Sequence, residues 1–354
     1  MIVTDQQAPQ KVPRRMSVTP FTGPAAEWDA FVRRQAGWTH FHLFGWRTVF
    51  EKSYGHNGVY LAAHDSAGSL AGVLPLVRVR SPLFGHYLVS MPFVNYGGPL
   101  GSDDAVRALV AEARAIATRD KVKLLELRSR RELPIDLPVS HRKITVTLPL
   151  PTGSPEPLWA GFDGNVRRRV KRSQKAGIEI RFGLDQVGPF YQVFTQHMRD
   201  MGTPVHSRRL FDAVAEVFPD AWFGCAWYQG HPIAGIGGFV WDKEFEVTWA
   251  SALYAHKELA ANMHLYWTFM ERCIAQGISL FNFGRCTPGE GTHRFKLQWG
   301  SNDEALWWYQ SAATEGGGTP SPDDARYAWG PRIWKKLPLV LANVLGPHIV
   351  RGIP

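Results

Sequence analysis

Apolar residues follow two alternating rhythms along this chain, one of strands and one of helices. Spacing by three and four predicts helices over Ala25–Gln35 and Leu43–Lys52, and a one-faced helix over Asp103–Thr118 built on Val106, Leu109, Val110, Ala113 and Ala117. Between them, Val59–Asp65 and Leu70–Arg80 read as strands joined by a Ser-Ala-Gly-Ser turn, and Lys123–Arg128 reads as a buried strand. The order then returns. Ala221–Tyr228, Ile233–Trp241 and Phe245–Leu253 read as strands, Leu259, Met263, Trp267, Met270 and Ile274 mark one helix face, and Ser279–Arg285 closes the unit as a strand. Leu70-Ala71-Gly72-Val73 answers Ile233-Ala234-Gly235-Ile236, and LLELR answers LFNFG at a similar offset. Two copies of one strand, turn, strand, helix, strand unit explain this most economically. The expected class is α/β (α+β), with two tandem domains of mixed central sheets flanked by helices.

Breaks in the pattern divide the chain. Residues 1–15 read as a flexible tail, 16–150 as the first domain, and 151–313 as the second, the boundary falling in LPLPTGSPEP (Leu148–Pro157). Residues 314–330, with TEGGGTPSPDD, read as a linker, and 331–354 as an amphipathic tail. That tail joins Trp334 and several leucines to Arg332, Lys335 and Lys336, as a membrane-surface helix does; Pro338 and Pro347 equally suit a segment docked on the protein.

A chain of 354 residues, 45% of them hydrophobic, can fill two cores. Its net charge of +9 favours an anionic partner, whether tRNA, a nucleotide-linked substrate, a cofactor phosphate or an acidic membrane surface; DNA is not expected. Three cysteines at irregular spacing give neither a disulfide framework nor a zinc pattern, so a reducing compartment and no metal are expected. The basic N-terminus lacks an apolar run behind it, and no stretch reaches the roughly 18 apolar residues of a spanning helix. Cytoplasmic placement follows as an expectation, with contact at the inner face of the cytoplasmic membrane as what the tail would add.

Three segments hold candidate chemistry. Asn165–Arg181 sets Arg167, Lys171 and Lys175 on one helical stripe with Arg168 and Arg172 beside it, while Val166 and Val170 face inward and Gly177 suits a left-handed cap. Six cations within nine residues fit either a solvated face or a surface for donor phosphates. His197–Ser207 brings Asp200 and His206 around a Gly-Thr-Pro turn, either as turn and helix caps or as groups that orient and deprotonate an amine. FGRCTPGEGTHRFKLQWG (Phe283–Gly300) leaves a strand as a glycine-rich basic loop, whose amides and cations suit a phosphate or a developing oxyanion. Within it Lys296 alternates with Phe295 and Leu297, which predicts a strand; Cys286 has no base fixed beside it. AGIGGF fits no dinucleotide fingerprint, and there is no P-loop. Asn95–Pro99 reads as a tight turn from which Tyr96 can line a cleft between lobes.

The run LWAGFDGNVRRRVKRSQKAGIEIR, then MGTPVHS, then FNFGRCTPGEGTHRFKLQWG, resembles the FemAB-like peptidoglycan aminoacyltransferases, most closely those associated with exosortase and PEP-CTERM systems. The resemblance covers about residues 20 to 310 and implies two tandem GNAT-like acyltransferase domains and aminoacyl or acyl transfer to an amine of a cell-envelope or exopolysaccharide precursor. It implies a site role for a Phe-Lys pair, matched by Phe295-Lys296. The helical arm of some Fem enzymes has no counterpart, and Arg199-Asp-Met-Gly-Thr-Pro approaches the GNAT pyrophosphate loop but ends in Pro204. The expected catalytic set is Lys296 with Asp200, His206 or His293, and the expected substrate contacts are Arg285, Thr203, Tyr254, Asn262, Thr292 and Phe295. Arg167, Arg168, Lys171 and Arg172 would meet an anionic donor, aminoacyl-tRNA or acyl-CoA, used as co-substrate and not as a bound cofactor. A CoA-dependent amino-sugar acetyltransferase and a non-enzymatic scaffold on the membrane surface are the alternatives.

Overall fold

In the computed structural model, which describes residues 16–312 and 330–353, the helices and strands expected from the two repeated units form with ends shifted by two residues at most, while the strand expected at Phe295–Leu297 does not. The expected tail at 1–15 and nearly all of the 314–330 linker lie outside the described residues. In chain order the first half holds β1 (Ser17–Pro20), α1 (Ala25–Arg33), α2 (Gly45–Tyr54), β2 (Gly58–His64), β3 (Leu70–Ser81), β4 (Gly85–Val89), β5 (Leu100–Gly101), α3 (Asp103–Arg119), β6 (Leu124–Ser129), β7 (Val139–Ser140) and β8 (Ile144–Pro149). Then come α4 (Glu156–Gly161), α5 (Gly164–Lys175), β9 (Glu179–Phe182), α6 (Val187–Met201), α7 (Arg208–Val217), β10 (Trp222–Tyr228), β11 (His231–Trp241), β12 (Glu244–Ala252), α8 (Ala261–Ala275), β13 (Leu280–Cys286), α9 (Gly291–Leu297), β14 (Asn302–Ala305) and β15 (Trp307–Ala312), and finally α10 (Gly330–Trp334) and α11 (Leu339–Val350).

The sequence repeat is a structural one. One sheet runs β1-β2-β3-β4-β6-β15-β7, with β5 beside β3, and the other runs β9-β10-β11-β12-β13-β8-β14. Position by position the two orders match, each with one parallel pair, β4 with β6 and β12 with β13. The sheets do not divide at residue 150. Strand β8, before that position, pairs with β13 and β14 in the second sheet, while β15, after the second unit, pairs with β6 and β7 in the first. Each unit thus borrows its sixth strand from the other, and neither sheet is complete without the other half.

Helices end where their sequences tell them to. Ser102 caps α3 through a bond from the Ala105 amide, with Asp103 and Asp104 against the helix dipole. Asp163 caps α5, and Gly177 takes the left-handed conformation (φ +74°) just past its end. The apolar faces fill three layers. Helix α3 covers the outer face of the first sheet through Val106, Leu109, Val110 and Ala113. Helices α5 and α8 cover the second through Val166, Val170, Met263, Trp267 and Met270. Between the sheets lies an aromatic layer from α1, α2, α6 and α7, with Trp28, Trp46, Phe190 and Phe211 fully buried, which joins the halves into one core.

Candidate functional site

Strands β12 and β13 pair only from Glu244–Leu280 to Glu246–Asn282. Both bend where they part. Gly237 faces Trp249 while Gly238 faces Val247, so Thr248 is an extra residue on β12, a bulge that leaves the ladder. A Cβ on Gly238 would lie 2.0 Å from the Glu246 carbonyl oxygen, so only glycine lets β11 come this close. On β13 the register against β8 jumps from Asn282 to Arg285, and Gly284 has φ +75° with the Val247 carbonyl 2.3 Å from where a Cβ would stand. A cavity of about 340 Å³ fills the opening. Its wall includes His197, Thr248, Ser251, Asn262, Arg285 and Lys296. The Oγ atoms of Thr248 and Ser251 are buried without a partner. A second cavity, about 470 Å³, shares His197, Ala252 and Asn262 with the first and adds Arg169, Asp200, Met201, Tyr254 and Lys257.

Lys296 is not on a strand. The segment from Gly291 to Leu297 is helix α9, and the alternation read from Phe295-Lys296-Leu297 is the accident of one apolar and one site-facing residue side by side. The turn before α9 is tied by His293, whose Nδ1 accepts from the Gly289 amide at 2.9 Å while Nε2 meets the Asp303 carboxylate at 2.9 Å. A helix here brings Thr292, Phe295 and Lys296 onto one face, spacings of three and four, and all three line the cavity. Lys296 is 5% exposed. Its Nζ donates to the carbonyls of Gly284 at 2.5 Å and Arg285 at 3.0 Å, and it also bonds the Cys286 sulfur. Burial lowers its pKa to about 8, against the opposing pull of Cys286 and Glu246. Burial together with the neighbouring Arg128 lowers Arg285 to about 9; both guanidinium groups stand over the ring of Trp308, which the borrowed strand β15 supplies. Burial holds the Cys286 thiol above its ordinary range.

Behind the wall lies a buried polar cluster. Asn95 donates to Glu246 Oε1 at 2.6 Å, and Asn282 reaches Glu246 Oε2 at 3.2 Å, Glu244 at 2.7 Å and the Tyr96 hydroxyl at 3.0 Å. Glu246 is fully buried, and desolvation raises its pKa to about 8. The cluster separates the site from a third cavity of about 440 Å³ between the units, where Tyr96 lies as the sequence suggested, beside Trp38, Arg130, Arg131, Lys243 and Glu304. Among the described residues no His, Cys, Asp and Glu group is arranged to hold a metal ion.

The structure brings together Lys296, Arg285, Asn262, Thr292 and Phe295, and sets Asp200 and Tyr254 in the adjoining cavity. Asp200 is ion-paired with Arg199 at 2.7 Å. The other candidates are elsewhere. His206 sits in the aromatic layer, its Nδ1 2.6 Å from the Tyr54 hydroxyl and its pKa lowered to about 4 by burial, so it is a neutral core residue. His293 is occupied at both nitrogens. Thr203 closes the end of α6 with a bond from its amide to the Met198 carbonyl. Arg168, Lys171 and Arg172 are exposed on α5, and Arg167 bonds the Ala160 carbonyl; Arg169, passed over by the stripe, is the one that reaches a cavity. Sequence reasoning noted His197 beside Asp200 and His206 but gave it no role, and it missed the Thr248 bulge. His197 Nδ1 donates to the Ala252 carbonyl at 3.0 Å, which leaves Nε2 as an acceptor, and burial lowers its pKa. The signal for the bulge was the Gly237-Gly238 pair inside a strand.

Comparison with known proteins agrees with this geometry. Residues 161–297 match the Acetyltransferase (GNAT) domain. No curated protein sequence matches the chain. FemX shares the fold with a TM-score of 0.64 at 14% identity, covering 83% of this chain and 97% of that one. L-PGS from Bacillus licheniformis gives 0.56 at 12% identity over 94% and 97%. A tandem GNAT protein from the clavulanic acid biosynthesis pathway gives 0.55 at 12% identity over 87% and 100%. At these identities the likeness is one of fold: the match to the GNAT domain spans the candidate site, within a mixed α/β architecture shared with a tandem GNAT protein.

Proposed function

We propose that this protein is an N-acyltransferase that joins an activated acyl or aminoacyl carbonyl to an amine of a cell-envelope or exopolysaccharide precursor. One observation carries the reading: two parallel strands part around a cavity whose wall holds an extra bulge residue, two hydroxyls without partners and two cations. Such a wall suits a carbonyl whose oxygen gathers charge in a tetrahedral intermediate. The amine nitrogen forms the new N–C bond, and its proton passes to His197 Nε2. The bond from carbon to the donor's ester oxygen or thioester sulfur then breaks, and the leaving group takes that proton. Arg285 faces the developing charge; Lys296 adds its field and holds the Gly284 and Arg285 carbonyls in place. The exposed cations of α5 suit the phosphates of a tRNA or CoA donor.

The match to an acetyltransferase domain favours, as a second reading, a CoA thioester acylating an amino sugar. Titration calorimetry with acetyl-CoA decides the donor, since saturable binding selects a CoA thioester over an aminoacyl-tRNA. Lys296→Met is expected to lower turnover by at least about 10²-fold with the fold retained by circular dichroism. Full activity in that variant would remove Lys296 from the mechanism.

A further inference from the structure

Helix α11 turns its apolar residues the wrong way for a soluble surface. Val340, Leu341, Val344 and Leu345 form one stripe along its outer side and are 73%, 49%, 58% and 45% exposed, with Ile333 of α10 exposed nearby. Four aliphatic side chains on adjacent turns make a contiguous patch, which monomers seldom leave in water. The inner side of the helix is seated on the protein. Gly346 lies so close to Val205 that a Cβ would stand 2.8 Å from its amide nitrogen, and Gly202 lies under the Pro331 carbonyl in the same way at 2.6 Å. Arg199 donates to the Leu337 carbonyl at 3.2 Å, and the ring of His56 meets the Arg351 carbonyl at 2.8 Å. The hairpin is therefore fixed with its stripe outward, and Trp334, expected to serve as a lipid anchor, is instead buried against the protein.

Charge decides what covers the stripe. Arg332, Lys335 and Lys336 precede it and Arg351 follows it, all exposed, and residues 330–353 contain no Asp or Glu. A second copy of the chain laid against this face would press one cationic rim on another. We propose that the C-terminal hairpin docks the protein on an anionic lipid bilayer, with the α11 stripe in the acyl boundary and the flanking cations among the headgroups. The helix has 12 residues, about 18 Å of rise, so it lies in the interface and does not span; among the described residues no helix is long and apolar enough to cross a membrane. The docked face adjoins the site. Arg199 and Gly202, which hold the hairpin, bracket Asp200 and Met201 on the wall of the second cavity, where Met201 and Tyr254 are also exposed apolar groups. An amphiphile anchored in that bilayer would enter the cavity from its headgroup side.

Flotation of the full chain with vesicles of phosphatidylglycerol and phosphatidylcholine tests this, without reference to any activity. Wild type is expected to float with phosphatidylglycerol vesicles and to release from them as salt rises. Lys335→Glu/Lys336→Glu should weaken binding by more than about tenfold, at roughly fivefold or more for each charge reversed. Leu341→Glu/Val344→Glu should weaken it at least as much while its melting temperature stays that of wild type. Three results overturn the proposal: flotation unchanged in the Leu341→Glu/Val344→Glu chain, flotation lost on reversing Arg168, Lys171 and Arg172 of α5 in place of the tail, or a lipid-free dimer in sedimentation that the tail variant disperses.

Discussion

Strands β4 and β6 part after Val89 and Glu126, and strands β12 and β13 part after Glu246 and Asn282, at the same place in two sheets of the same order. What happens beyond the fork differs. In the first unit the gap is laced shut: the Ser90 amide donates to the Glu126 carbonyl, Ser90 Oγ accepts from the Arg128 amide at 2.7 Å, and the Gly97 amide donates to the Arg128 carbonyl at 3.0 Å. The lacing loop is pinned in turn by His42, whose Nε2 donates to the Gly98 carbonyl at 3.1 Å. In the second unit no ladder continues past Glu246–Asn282, a bulge and a positive-φ glycine turn the strands apart, and the cavity takes the space. The duplicated fork is thus used once as a structural clasp and once as a site. The difference lies in a few backbone positions, not in the fold.

The clasp depends on neutral histidines, and acid should break it first. His42 Nδ1 accepts from the Thr39 amide at 3.0 Å, and His40 stacks on Phe239 of the second unit with ring centroids 4.1 Å apart. Burial lowers His40 to about 3 and both His42 and His206 to about 4, against 6.5 for the free side chain. Between pH 6.5 and about 4 the unfolded chain binds these protons and the folded chain does not. Stability is therefore whole above pH 6.5 and falls as pH drops through that window, by about 1.4 kcal/mol per pH unit for each histidine. Urea midpoints at pH 7, 6 and 5 should fall steeply, and His42→Gln should flatten the slope. A flat midpoint over this range breaks the argument.

The second test compares cations across the fork. Arg128 Nε donates to Glu126 at 2.7 Å with both side chains buried, whereas Arg285 opens on the cavity. Arg128→Met takes the ion-pair partner from the buried Glu126 carboxylate and should cost about 3 kcal/mol of stability in urea titration, with turnover per folded molecule little changed. If Arg128→Met is as stable as wild type and slow, then the first fork belongs to the site and the contrast drawn here fails.

The repeat was legible because Leu70–Val73 and Ile233–Ile236 lie on β3 and β11, the strands that hold the same place in the two sheets. Strand β4 was not seen: its five residues follow Ser-Pro-Leu-Phe, a turn, and are too short for alternation to register. The exchange of β8 and β15 was invisible for another reason. Either strand carries the pattern to sit in either sheet, and only three-dimensional packing chooses. At the site the sequence singled out Lys296 but gave it the wrong element, since one turn of helix and three residues of strand can present the same pair of side chains. Of the two histidines in that segment the sequence assigned a role to His206 and none to His197, although burial reverses their standing: a histidine in an aromatic layer is structural, and one at the edge of a cavity retains a free nitrogen.

That free nitrogen gives the finest test of the contrast, because it asks for a titration at the open fork of the opposite meaning to the one at the clasp. With Nδ1–H held by the Ala252 carbonyl, His197 presents Nε2 to the cavity only while neutral, and burial extends its neutral range below the ordinary 6.5. As a proton acceptor it should make kcat/KM rise with pH through a single pKa lower than 6.5 and then level off. His197→Gln keeps a donor for Ala252 and removes the acceptor. It should lower kcat/KM by about a hundredfold, near 2.7 kcal/mol, and abolish the acid limb while leaving the urea midpoint at pH 7 in place. A variant that is slow but keeps the limb would assign the titration to the substrate amine, and His197 would then position the acceptor without taking its proton.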